Sequence, residues 1–106
     1  MTRVISMQRS IALEDVVVAA QGQVAADVGG EVVILNLERG EYFGLNAVGS
    51  RIWELIREPR AVLEVRDQLL LEYVDVDSER CTADLLAVLN EMLEASLVER
   101  RNGYHA

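Results

Sequence analysis

Apolar residues recur along this chain in two different rhythms. In the first half they gather into short runs, Val16–Ala20, Gln23–Val28 and Glu31–Leu37, rich in Val, Ile, Leu and Ala. Gly22 and the pair Gly29-Gly30 separate them, and such runs punctuated by turn glycines predict short strands. The next break, Glu38-Arg39-Gly40, suits a three-residue hairpin loop whose last residue takes a left-handed conformation. Glu41–Leu45 is then the returning strand, and the N-terminal half is expected to form a small antiparallel meander.

From Asn46 onward the rhythm becomes helical. The Asn46 side chain can accept an orphan backbone N–H and cap a helix over Ala47–Arg57. Val48, Ile52, Leu55 and Ile56 share one face of it, with Trp53 on the flank and expected in the core. Gly49 lies inside this helix against its propensity, which suggests the close approach of another backbone. Pro59 forces Glu58 out of helical geometry and ends the segment. A second helix is predicted over Val62–Tyr73, with Leu63, Arg66, Leu69, Leu70 and Tyr73 in register. Asp77 is the expected N-cap of a third helix, Ser78 to about Ser96. The tail, LVERRNGYHA, is read as adding a short extended segment. The layout is one α+β domain, three strands or so followed by three helices with the sheet on one side. Its expected limits are residues 13–98, between a flexible N-terminal arm over residues 1–12 and a C-terminal tail over residues 99–106.

Composition narrows the chemistry. A chain of 106 residues supports a single modest core. Neither a signal peptide nor a membrane-length apolar run is seen, so a cytoplasmic protein is expected. Cys81 and His105 are the sole cysteine and histidine. An internal disulfide and a thiolate metal cluster are therefore excluded, and Ser-His or Cys-His catalysis is disfavoured. No cofactor, metal or catalytic residue is expected. The net charge is −8 and every basic residue is arginine. An acidic field repels phosphate backbones and anionic lipid, so neither nucleic acid nor membrane is an expected partner.

Two features point to binding instead. On the third helix Cys81, Thr82, Leu85, Leu86, Val88, Leu89, Met92, Leu93 and Ser96 span roughly 160°, more than the stripe of about 100° that a helix lying on a core requires. The excess fits either a deeper core or a second apolar strip facing a groove, where soft groups such as Cys81 and Met92 adapt well. Glu41–Leu45, as the last strand of a meander, is an edge carrying Tyr42 and Phe43 and a single charge, Glu41. An aromatic edge beside an apolar groove is what addition of a peptide strand requires. One of Tyr42 and Phe43 should point into the domain and the other away; the sequence does not say which.

The run "VVILNLERGEYFGLNAVGSRIWELI", and "LLLEYVDVDSERCTADLLAVLNEMLEASLV" after it, resemble the PqqD-like family, the peptide-recognition elements of pathways that modify ribosomally made peptides. The pattern is a hydrophobic strand, a glycine turn, an aromatic strand ending Gly-Leu-Asn, and a helix containing Gly and Ile-Trp. Within that family "GEYFGLN" with the later Ile-Trp is most similar to stand-alone leader-binding proteins of lasso-peptide pathways. The resemblance implies a winged-helix-like fold, a three-stranded antiparallel sheet followed by three helices, with no activity of its own. It also implies a precursor leader peptide added as a strand beside Glu41, Tyr42, Phe43, Gly44 and Leu45, in the cleft against the third helix, and delivered to a separate leader peptidase and lasso cyclase. Periodicity assigns Cys81, Leu85, Val88, Leu89 and Met92 to the helix side of that cleft, and Asp77 and Asp84 are expected to steer basic leader residues.

Other readings stay open. A PqqD-like chaperone for a radical-enzyme pathway differs only in its precursor and partner. A winged-helix DNA-binding regulator would read DNA with the third helix, whose Asp77, Glu79, Asp84, Glu91 and Glu94 against Arg80 oppose it. A homodimer pairing the same edge on itself is a further alternative.

Overall fold

The computed structural model describes residues 10–101. The elements run β1 (Val16–Ala19), β2 (Gln23–Val28), β3 (Glu31–Asn36), β4 (Glu41–Gly44), α1 (Ala47–Leu55), β5 (Arg60–Ala61), α2 (Val62–Glu72), α3 (Ser78–Glu94) and β6 (Val98–Arg100). The α+β order is as expected: a three-stranded antiparallel sheet, β2-β3-β4, precedes three helices. Of the expected arm, residues 1–9 lie outside the described residues. Ile11, within the same expected arm, is buried in the core, and its N–H donates to Asn90 Oδ1 on α3 at 2.8 Å. Residues 102–106, with Tyr104 and His105, also lie outside the described residues.

β1 departs from the expected meander. It pairs antiparallel with β5 on one side and β6 on the other, forming a second small sheet. Its sequence explains why. Val17 and Val18 are both buried, so the strand is covered on both faces, and an uninterrupted apolar run suits a central strand. The extended segment read in the tail is β6.

The remaining sheet is a true meander. Gly29 and Gly30, at φ +66° and +92°, form the two-residue β2–β3 turn, where left-handed conformations are needed in succession. The β3–β4 turn is one residue longer than expected. Asn36 pairs with Glu41, so Leu37 joins Glu38, Arg39 and Gly40 in the loop. Gly40, at φ +67°, takes the left-handed position, and its N–H donates to the Asn36 carbonyl at 2.9 Å.

The helices begin where the caps predict. Asn46 Oδ1 accepts from Gly49 N–H at 2.8 Å, and Asp77 Oδ2 from Arg80 N–H at 3.0 Å. Two details differ from expectation. A Cβ at Gly49 would meet the Asn46 cap oxygen at 3.2 Å and the Leu45 side chain, not another element's backbone. On α2 the core face is Val62, Val65 and Leu69, while Leu63 is exposed. Apolar and polar residues are interleaved around that helix, with no single apolar stripe, so periodicity alone does not select its inner face. The core joins these residues to Ile34, Ile52, Trp53, Ile56, Leu85, Leu89 and Leu97.

Candidate peptide-binding cleft

The site is assembled from a strand edge and a helix. In the sheet order β2-β3-β4, β4 pairs only with β3, so its other edge is unpaired among the described residues. That edge faces α3 across a groove of about 250 Å³ lined by Phe43, Gly44 and Leu45 on one side and by Val88, Glu91, Met92 and Ala95 on the other. Leu97 completes the lining.

Local chemistry holds both walls. Ser50, buried on α1, accepts from Val32 N–H at 2.8 Å and donates to the Leu45 carbonyl at 3.2 Å, tying the exit of β4 to the helix after it. At the far end of α3, Ser96 adopts φ +63°. Its N–H donates to the Leu93 carbonyl, and Leu97 N–H to that of Met92, forming a Schellman stop. This reversal turns the chain so that Leu97 meets the cleft.

The two aromatic residues are now distinguished. Phe43 lies opposite the fully buried Ile34, packs against the core and lines the cleft. Tyr42 lies opposite Leu35 on the outer face and is 75% exposed.

The groove continues along α3. A second apolar recess of about 160 Å³ is lined by Val48, Ile52, Leu69, Tyr73, Val76, Cys81, Leu85 and Val88, with Asp84 on its wall. Val88 lines both recesses and makes them one path. From Cys81 to Ala95 that path covers about 21 Å of helix, the reach of about six residues of extended chain. Beyond the second recess, Asp75, Asp77, Arg80 and Asp84 form a polar rim. Arg80 pairs with Asp84 at 3.5 Å. Burial, with a smaller contribution from Asp84, pushes the Cys81 thiol up, so it acts as an apolar wall and not as a nucleophile.

Of the twelve residues singled out from the sequence, Phe43, Gly44, Leu45, Cys81, Asp84, Leu85, Val88 and Met92 line the path, and Asp77 stands on its rim. Glu41 is exposed on the strand, and Tyr42 points to the opposite face from Phe43. Leu89 is fully buried and lines neither recess. The wide apolar arc of α3 thus serves both purposes weighed for it, with Leu89 and Leu93 in the core and Val88 in the groove. The lining residues not singled out from the sequence are Val48, Ile52, Leu69, Tyr73 and Val76 in one recess and Glu91, Ala95 and Leu97 in the other. Glu91 was within reach of sequence reasoning, because it lies seven residues after Asp84 and so on the same helix face.

An α+β domain of this order, with its sheet edge open toward the last helix, is the fold of an established family. The chain belongs to the family of Coenzyme PQQ synthesis protein D (PqqD), matching it over residues 31–98. Among solved structures it is similar to one described as TbiB1 in complex with the TbiA(beta) leader peptide, at 38% identity and a TM-score of 0.72, covering 84% of this chain and 99% of that one. No curated protein matches it. Among the described residues no helix is long and apolar enough to cross a membrane, and no three His, Cys, Asp or Glu side chains are grouped to hold a metal.

Proposed function

We propose that this protein binds a precursor leader peptide as an added strand on the open edge of β4, in the cleft against α3, and presents it to a leader peptidase and cyclase without performing chemistry itself. The open aromatic edge facing an apolar helix wall carries this reading. The likeness to a protein solved with a leader peptide supports it. The resemblance of "GEYFGLN" and the following Ile-Trp to stand-alone lasso leader-binding proteins favours a lasso pathway over a radical-enzyme pathway. A cytoplasmic location follows from the same reading.

The energetics require both walls. Ordering each peptide residue costs about 1–2 kcal/mol, and each backbone hydrogen bond returns about 0.5–1.5 kcal/mol. The ladder therefore sets register while contributing little net affinity. Micromolar binding requires about −8 kcal/mol, and two or three apolar side chains seated in the recesses contribute about 1.5–3 kcal/mol each. Val88, shared by both recesses, is the residue at which the path is most easily broken. Val88→Glu places a carboxylate there, and fluorescence polarisation of a labelled leader from the neighbouring gene should show affinity falling about tenfold or more, at least 1.4 kcal/mol. Because Val88 is only partly buried, its melting temperature should change little. Unchanged affinity in a folded Val88→Glu variant would reject the cleft.

A further inference from the structure

The recess of about 160 Å³ lies between two helices that belong to different walls of the cleft. α1 goes with the sheet: Ser50 bonds it to Val32 on β3 and to the Leu45 carbonyl at the end of β4. α2 instead packs along α3. Val48 and Ile52 of α1, and Leu69 and Tyr73 of α2, line the recess. One spacing recurs on both helices. Arg51 stands three residues after Val48 and one before Ile52, and Glu72 three after Leu69 and one before Tyr73. Each charge is therefore on the shoulder of the turn that lines the recess. Arg51 Nε donates to both Glu72 carboxylate oxygens at 2.9 and 3.0 Å, and Nη2 to one of them at 2.7 Å. Gln68 Nε2, one turn earlier on α2, donates to Glu72 at 2.8 Å and orients it.

We infer that the Arg51–Glu72 bridge is a strap that holds α1 and α2 at a set separation and thereby determines which leader side chain the recess admits. The inference rests on the leader-binding reading above. A planar guanidinium on both carboxylate oxygens fixes direction as well as distance. Because α1 is bonded to the β4 side and α2 packs on the α3 side, the strap joins the two walls between which the leader is seated. Size gives the separation its consequence. An apolar cavity of about 150 Å³ holds a benzene-sized group, so this recess matches one side chain of the size of Leu, Ile or Phe. A larger side chain is rejected only where the walls do not part. Neither Arg51 nor Glu72 lines the recess, so both are positioning residues that act through Val48, Ile52, Leu69 and Tyr73. Their side chains are 33% and 29% exposed. Pairs in such positions contribute little to stability, so the strap can be cut in a protein that stays folded.

The test uses Arg51→Met, which keeps the apolar stem, Glu72→Ala, which keeps a good helix former, and the double variant. Each is titrated by fluorescence polarisation with the labelled leader encoded by the neighbouring gene, and with leaders in which each apolar residue in turn is replaced by Trp. In wild type, Trp at the residue seated in the recess should cost about tenfold or more. In either single variant the unaltered leader should bind about threefold or more weakly, and that Trp penalty should shrink by a similar factor, with the penalties at other positions unchanged. The double variant should behave like either single one, because each substitution breaks the same bridge. The inference is overturned if the variants weaken every leader by one common factor, if they leave the Trp penalty intact, or if their effects add. It is also overturned if wild type accepts Trp at every position. Failure of wild type to bind the unaltered leader would instead reject the leader-binding reading, and this inference with it. Should Arg51→Met fail to fold, the Trp penalty in Glu72→Ala decides the matter.

Discussion

Tyr42 and Phe43 are adjacent in sequence and opposite in circumstance, one on the outer face and the other in the cleft. Strand alternation required that split, but its sense depended on one residue of turn length. With a three-residue loop Leu37 would pair with Glu41, and every side chain of β4 would change face. Including Leu37 in the turn pairs Asn36 with Glu41 and sends Phe43 inward. Loop length was not legible because Leu37, an exposed apolar residue, continues the composition of the strand before it. Ser96 was equally hidden, since nothing in "EASLV" marks a left-handed stop. An L-residue there costs about 1–2 kcal/mol, offset in a Ser96→Gly variant by about 0.4–1 kcal/mol of added freedom in the unfolded chain. Ser96→Gly should therefore gain about 0.5–1 kcal/mol in urea denaturation. A loss would contradict the role given to this residue.

At the scale of elements, caps and breaks were the most readable features. Asn46, Asp77 and Pro59 mark boundaries through local chemistry, which needs no tertiary context. The inner face of α2 was not readable, because Val62, Leu63, Val65, Leu69, Leu70 and Leu71 are interleaved around the helix with Glu64, Arg66, Asp67, Gln68 and Glu72 and form no single stripe. What ties α2 to α1 is also invisible to periodicity. Arg51 donates through Nε and Nη2 to both carboxylate oxygens of Glu72, at 2.7–3.0 Å, and through Nη1 to Glu54 at 3.0 Å. Hydrogen bonds from Arg51, then from Gln68, hold the Glu72 carboxyl down at about 2 from an ordinary 4.5. A carboxyl whose folded pKa is depressed contributes stability that is present above its unfolded pKa and lost as pH falls through the folded one. Thermal denaturation should thus show wild type losing more stability than Glu72→Gln as pH falls from about 4.5 to about 2. Parallel curves for the two proteins would show that the pair contributes nothing, as partly exposed pairs sometimes do.

At the scale of the whole molecule, the α+β order and the two walls of the cleft were legible, and the division of the strands between two sheets was not. Strand pairing between β1 and β6 joins residues at opposite ends of the chain, and no local pattern announces such a partner. The charge distribution was legible in sum but not in place. In the folded protein Glu91 stands on the wall of one recess and Asp84 on that of the other, with Asp75 and Asp77 on the rim beyond. These carboxylates should attract basic leader residues at a distance, each exposed pair contributing about 0.2–1 kcal/mol. Raising ionic strength from about 0.15 M to 1 M shortens screening from about 8 Å to 3 Å. Leader affinity should fall several-fold in that titration, and a salt-independent affinity would remove the steering role of the acids.

The central claim is that β4 receives a peptide as its neighbouring strand, and amide hydrogen exchange tests it most directly. On saturation with leader, alternate backbone amides of Glu41–Leu45 should exchange much more slowly, because half of the groups on a strand point to the new partner. The outer edge of β2 should be unaffected. Binding without any new protection along β4, or with protection on β2 instead, would contradict strand addition at this edge.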